Sequence, residues 1–164
     1  MTQQSAAMKP MDPTRLAQLL RGQRWACLGT QSDDGPYVSW VAFVAVADFS
    51  ALIMHLSRLA QHTRNLEADA RVSLALSEPD DGRRDPQQLA RVSLQGTVTA
   101  VTPEHPDYEH LKALYLARLP DAEGLFQFSD FSLYRFEPRA GRYVEGFASS
   151  HAINAEKLKV AAAC

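Results

Sequence analysis

Only two cysteines stand in the 164 residues, Cys27 in an apolar run and Cys164 at the last position. No Cys-x-x-Cys pair occurs, and no His/Cys grouping has the spacing of a structural metal site. A disulfide framework and a zinc module are therefore excluded as organising devices. A reducing, cytoplasmic setting is the simplest expectation. Net charge is −2, with no basic tail or stripe, so binding to nucleic acid through its phosphates is not expected. No apolar run approaches the roughly 20 residues that cross a bilayer, so no membrane span is expected. The opening MTQQSAAMKPMDP lacks the apolar centre of an export signal. Repeats and low-complexity segments are absent too. What is present is 46% hydrophobic and 22% charged, enough to bury one full core. The expected organisation is a flexible leader over residues 1–11 and a single domain over residues 12–164.

The stretch HLSRLAQHTRNLEADARVSLAL, His55 to Leu76, carries the most information. Ser57 is positioned to cap a helix over Leu59–Ala68, and Leu59, Thr63 and Leu66 recur on one face. A step of about 100° per residue gathers Arg58, His62 and Asn65 on a flank, with Gln61 beside them. Polar donors near a helix start make an anion site, most often for phosphate. The same pattern also fits an ordinary solvated helix side. Spacing alone leaves both readings open.

Around this stretch the chain alternates in the manner of strands. Asp12 and Pro13 open a first helix that buries Leu16, Leu19 and Leu20 and ends at Gly22. Strands are expected at Trp25–Thr30 and Tyr37–Val46, joined by a hairpin turn at Asp33-Asp34-Gly35. Ala51–Leu56, Arg71–Ser77 and Arg91–Val101 follow. Gly96 inside the last of these indicates a bulge or a close backbone approach. Thr102-Pro103-Glu104 starts a helix with Tyr108, Leu111, Tyr115 and Leu119 on its apolar stripe, and Pro120 stops it. Phe131–Glu137 and Arg142–Phe147 read as a final pair of strands around a Pro138–Gly141 turn. The tail past Ser150 reads as a short helix anchored by Leu158. About seven antiparallel strands with flanking helices suit a small, mainly β barrel.

GPYVSWVAFV, LSRLAQHTRNLEADARVSL, RVSLQGTV and FSLYRFEPRAGRYVEGFASSHAI, in this order, resemble the FMN-binding split-barrel proteins. These form the pyridoxamine 5′-phosphate oxidase-like superfamily, and the similarity is nearest to its haem-utilisation-type branch. It covers roughly residues 13–155. The resemblance implies a split β-barrel homodimer with FMN in clefts between subunits. It implies that Ser57, Gln61, His62 and Asn65 hold the FMN phosphate. Ser39, Trp40, Val41 and Ala42 would then meet the flavin ring, largely through backbone groups, and Arg91 is a further polar candidate near it. Core packing would equally make Trp40 and Val41 apolar.

The chain also departs from that pattern. Gln61 and His62 stand where the oxidases carry Arg and Lys. The segment GRYVEGFASSHAI does not match the basic segment that grips pyridoxamine phosphate. The leading expectation is a flavin-dependent oxidoreductase with another small-molecule substrate or electron donor. The alternatives are a haem-binding or haem-degrading protein, with His151 as the candidate ligand, and a flavin-binding module without turnover. No catalytic residue is assigned.

Overall fold

The computed structural model describes residues 10–82 and 85–164. Helix α1, Pro13–Gly22, begins where the side chain of Asp12 accepts the N–H groups of Thr14 (3.0 Å) and Arg15 (3.2 Å). Its buried side is Leu16, Ala17, Leu19 and Leu20. Strand β1, Trp25–Ser32, turns through Gly35 into β2, Gly35–Ala42, as an antiparallel hairpin in register Trp25↔Ala42. Most of the expected leader lies outside the described residues. Its last residue, Met11, packs against the core.

The expected strand over 37–46 is two strands. β2 ends at Ala42, and β3, Val44–Ala45, pairs instead with β4, Leu52–Ser57. Between them the Phe43 N–H donates to the Arg24 carbonyl (3.1 Å), and its ring is fully buried. The sheet order is β2-β1-β5-β6-β7-β4-β3, where β5 is Arg71–Ser77, β6 is Arg91–Val101 and β7 is Phe131–Gly146. Consecutive strands β2 and β3 thus stand at opposite ends of that order. The sheet curls toward closure and stays split at Phe43. With β8, Ser149–Asn154, added on β7, the sheet has eight strands.

The expected turn at Pro138–Gly141 is absent. β7 is one strand of 16 residues. Gln95 pairs with Ala140 and Gly96 with Pro138, so Arg139 is an extra residue in a β-bulge. A proline has no N–H for the ladder, and a bulge is where a strand tolerates it. Gly96 is the other half of the arrangement. A Cβ there would collide with the Glu137 carbonyl oxygen and lie 2.8 Å from its carbon. The hairpin turn comes later, at Phe147-Ala148, and β8 precedes the expected tail helix. That helix, α4, Ala155–Ala162, is capped by Asn154 and buries Leu158.

Two helix starts also move. α2 is Gln61–Ala68, with Ala60 as its N-cap and no side-chain cap bond. The chain from Ser57 to Ala60 is a turn, held by Ala60 N–H on the Ser57 carbonyl (3.1 Å) and Arg58 N–H on the Asp130 carbonyl (2.7 Å). Leu59, in that turn, is 74% exposed rather than buried. α3 is Tyr108–Arg118, not a helix from Thr102. Pro106 lacks the N–H a helix would need there, and residues 102–107 form turns instead.

One core cluster fills the curled sheet and includes Leu28, Met54, Leu74, Leu94, Tyr134, Phe136 and Tyr143. A second lies under α3 and includes Ile53, Val101, Leu111, Tyr115 and Leu133.

Candidate functional site

Side-chain alternation decides what the outer face of β1, β2, β5 and β6 presents. Ala26, Leu28 and Thr30 point to the core, so Trp25, Cys27 and Gly29 point away from it. The outward residues toward the middle of the sheet are small, and the surface there sinks into an open groove of about 560 Å³. Gly29, Ser73, Gly96 and Ala140 contribute to its floor, Tyr37 and Val38 border it, and Arg71 and Arg139 stand at its margin. A Cβ on Gly29 would come within 2.5 Å of Ser73 Oγ, so a side chain there would crowd that hydroxyl. The volume lies within the roughly 300–1,000 Å³ of small-molecule sites. Further along the same face Trp25 and Trp40 stack with centroids 6.0 Å apart and planes 6° apart, both more than half exposed.

Arg71 is held by Asp69, with Nη2 2.6 Å from Oδ2, and Asp69 is held down to about 2 by hydrogen bonds from Arg71. Among the described residues Arg139 has no ion-pair partner. The groove margin therefore carries one tethered and one untethered guanidinium.

The sequence-derived candidates divide. Among the β2 candidates Trp40 stands well exposed on the open face. Val41 is a core residue, Ser39 turns its Oγ into a buried position without a hydrogen bond, and Ala42 sits half-buried at the strand end. β2 is an edge strand, so its outer backbone groups remain available for pairing. Arg91 lies elsewhere: its Nη1 donates to the carbonyls of Gln87 (3.2 Å) and Leu89 (3.1 Å).

The helix set comes together but is occupied with itself. Ser57 Oγ accepts from Leu59 N–H (3.1 Å) and donates to the Asp130 carboxylate (2.5 Å), so it closes a turn rather than capping α2. Gln61 donates to Asn65 (2.7 Å) and accepts from Arg64 (2.8 Å). Asn65 is buried and donates to Thr30 Oγ1 (3.0 Å). His62 is half-buried, and burial lowers its pKa, so the neutral imidazole is the form present near pH 7. At this helix start Gln61 and Asn65 are thus engaged with neighbouring side chains. The space beside Gln61, Arg64 and Asn65 is bordered by Asp33 and Asp34, which oppose an anion further.

His151 is buried with Nε2 3.1 Å from Ser149 Oγ and 3.8 Å from a Glu145 carboxylate oxygen. Glu145 also accepts the Asp12 N–H (2.5 Å), and Arg15 donates to the Glu145 carbonyl (2.8 Å) while pairing with Glu78 (2.9 Å). This polar cluster ties the start of α1 to β7 and β8. Both Ser149 and Glu145 address the same ring nitrogen, so the three do not form a nucleophile–base–acid relay. Among the described residues no three His, Cys, Asp or Glu side chains form a metal-binding group.

Among the aromatics of β7, Tyr134, Phe136 and Tyr143 are core residues, because the strand faces them inward, and none of the three is free to meet a second subunit. Phe131 is half-buried and Phe147 is exposed. The groove itself was not legible as a site in sequence. Outward small residues in β1 and β5 are a faint sign, but only the strand order brings Gly29, Ser73, Gly96 and Arg139 together.

The model of the pyridoxamine 5′-phosphate oxidase family matches residues 13–145. The chain is 33% identical over 153 residues to the non-canonical heme oxygenase HOZ, chloroplastic, of Arabidopsis thaliana, covering 90% of this chain and 44% of that protein. It is 27% identical over 125 residues to heme oxygenase HutZ of Vibrio cholerae, covering 75% and 69%. A heme binding protein from Mycobacterium smegmatis superposes with a TM-score of 0.80 at 25% identity, covering 94% of this chain and 62% of that one. The chain thus spans less than half of the plant protein and under two thirds of the mycobacterial chain. No helix among the described residues is long and apolar enough to cross a membrane.

Proposed function

We propose that this chain, which belongs to the pyridoxamine 5′-phosphate oxidase family, binds haem in the outward groove of its sheet. The observation that carries this reading is the open groove over Gly29, Ser73, Gly96 and Ala140 with Arg71 and Arg139 at its margin. A planar, mostly apolar ring with carboxylate side chains matches such a surface: the floor takes the ring, and the guanidiniums take the carboxylates. The names of the similar proteins, two of them heme oxygenases and one a heme binding protein, support the same ligand class. Bound haem would supply iron chemistry toward oxygen. The chain's own part is to seat the ring, anchor its carboxylates and limit water on its covered face.

The flavin reading is the weaker one on this geometry. FMN needs its phosphate held, and the helix set offers a neutral His62 and two amides engaged with each other. A cytoplasmic setting fits the two unpaired cysteines.

Replacing Arg71 and Arg139 together by alanine should weaken haem binding by roughly tenfold at low salt, and by less at high salt, where exposed charges are screened. Titration followed by the Soret band measures this. Affinity unchanged at both salt concentrations would remove the arginines from the site.

The open groove and the exposed Trp25, Trp40 and Val38 on one face support a homodimer in which a second copy covers that face. Light scattering should return twice the 18.2 kDa chain mass at micromolar concentration. Trp40→Glu should shift the protein toward the single-chain mass. A wild-type mass of one chain would contradict the dimer.

A further inference from the structure

Resting on the groove reading above, we infer that Arg139 is the residue that anchors a ligand carboxylate, and that Asp69 is a built-in competitor that holds Arg71 back from the same task. The groove then grips one carboxylate firmly, at its β7 end, and a second one weakly. The two guanidiniums are held differently. Arg71 opens β5 two residues after Asp69, the C-cap of α2. Its Nε lies 2.9 Å and 3.2 Å from the two Asp69 carboxylate oxygens, and its Nη2 lies 2.6 Å from Oδ2. The Arg71 backbone N–H also donates to Asp69 Oδ1 (3.0 Å). Asp69 is fixed in turn by its own N–H on the Asn65 carbonyl (2.9 Å). The pair is neutral, and the fork that would match a ligand carboxylate is already filled by one. A second carboxylate there has to displace Asp69 or share its partner against like-charge repulsion.

The bulge gives Arg139 its place. In a regular strand, neighbours alternate between the two faces. Here Pro138 is buried, and Arg139 and Ala140 after it are both exposed. The extra residue opposite Gln95 and Gly96 thus sets two consecutive residues on the groove side, beside Gln95, Gly96 and Thr97. Glu137, two positions before Arg139, is paired with Arg135 (3.2 Å). Of the two arginines that line the groove, Arg139 is the one whose charge no carboxylate offsets among the described residues.

The test titrates the full chain and single variants with hemin and with hemin dimethyl ester, which lacks the free carboxylates, at low salt. Tryptophan quenching reads binding, and light scattering reads the mass of each variant. Arg139→Ala should weaken hemin about tenfold, Arg71→Ala by no more than about twofold, and Asp69→Asn should tighten it about threefold by freeing Arg71. Arg139→Lys should recover part of the loss, and the ester should bind all variants alike. Arg71→Ala costing as much as Arg139→Ala, or Asp69→Asn failing to tighten hemin, overturns the inference and leaves the groove as a haem site. Equal loss of the ester in Arg139→Ala overturns it too, because the residue would then act through packing. So does a change of mass in Arg139→Ala, which would assign the loss to assembly. If hemin does not bind the unmodified chain, the inference and the groove reading fall together.

Discussion

Gly96→Ala should cost the fold roughly 3 kcal/mol or more, at the upper end of what overpacking does. The added methyl would enter the Glu137 carbonyl, a backbone group in the ladder between β6 and β7. A flexible side chain could move aside, but this carbonyl cannot do so without opening the bulge at Arg139. At the usual sensitivity for a chain of this length, the melting temperature should fall by roughly 6–12 °C. The control is Gly124→Ala, where a Cβ has nothing within 4 Å. That change should stay within about 0.5 kcal/mol. Equal melting temperatures for the two variants would show that the close approach at Gly96 is not real.

The second large effect is expected in acid. His55 is buried among Tyr115, Phe126 and Phe131, and its Nδ1 has no hydrogen-bond partner. Burial, helped by nearby Lys112, lowers its pKa from 6.5 to about 4. Tyr115, the neighbouring titratable ring, is pushed up to about 12 by burial and stays neutral. Between pH 6.5 and about 4 the unfolded chain binds a proton at His55 that the folded chain refuses. Stability from this group is therefore full above pH 6.5 and declines as the pH falls toward 4, by about 3 kcal/mol in all. Carboxylates titrate in the lower part of this window too, so the test is differential. His55→Phe keeps a ring against Phe126 and removes the titration. Urea unfolding at pH 7.5 and pH 4.5 should show the variant losing about 2.5 kcal/mol less than wild type. Equal losses would mean that His55 is protonated in the folded protein as readily as in the unfolded one.

Elements fixed by neighbours in sequence were legible in sequence. Asp12-Pro13 specifies the start of α1 through one carboxylate and one ring. Asp33-Asp34-Gly35 specifies the hairpin, and alternation specifies β5 and β6 to the residue. The errors arise where a distant partner decides. Pro138 to Gly141 carries turn chemistry, and only Gly96 across the ladder makes it a bulge in a continuous strand. Ser57 has the right type and place for a cap, but Asp130, 73 residues away, draws it into a turn. Tyr134, Phe136 and Tyr143 alternate as strand residues should, and the alternation alone cannot say which face is the core.

The candidate site was legible only in part for the same reason. The polar residues of α2 do converge, as their helical spacing requires. Spacing does not reveal that Gln61 donates to Asn65, or that burial lowers the pKa of His62. The groove joins residues from five strands, so it exists only once the strand order is known.

The most direct test of the central claim is a parallel titration of the wild-type chain with haem and with FMN. A haem site predicts a saturable Soret shift with one haem per chain, and FMN affinity at least about 100-fold weaker, roughly 2.7 kcal/mol. FMN binding tighter than haem, and weakened by His62→Ala, would contradict it.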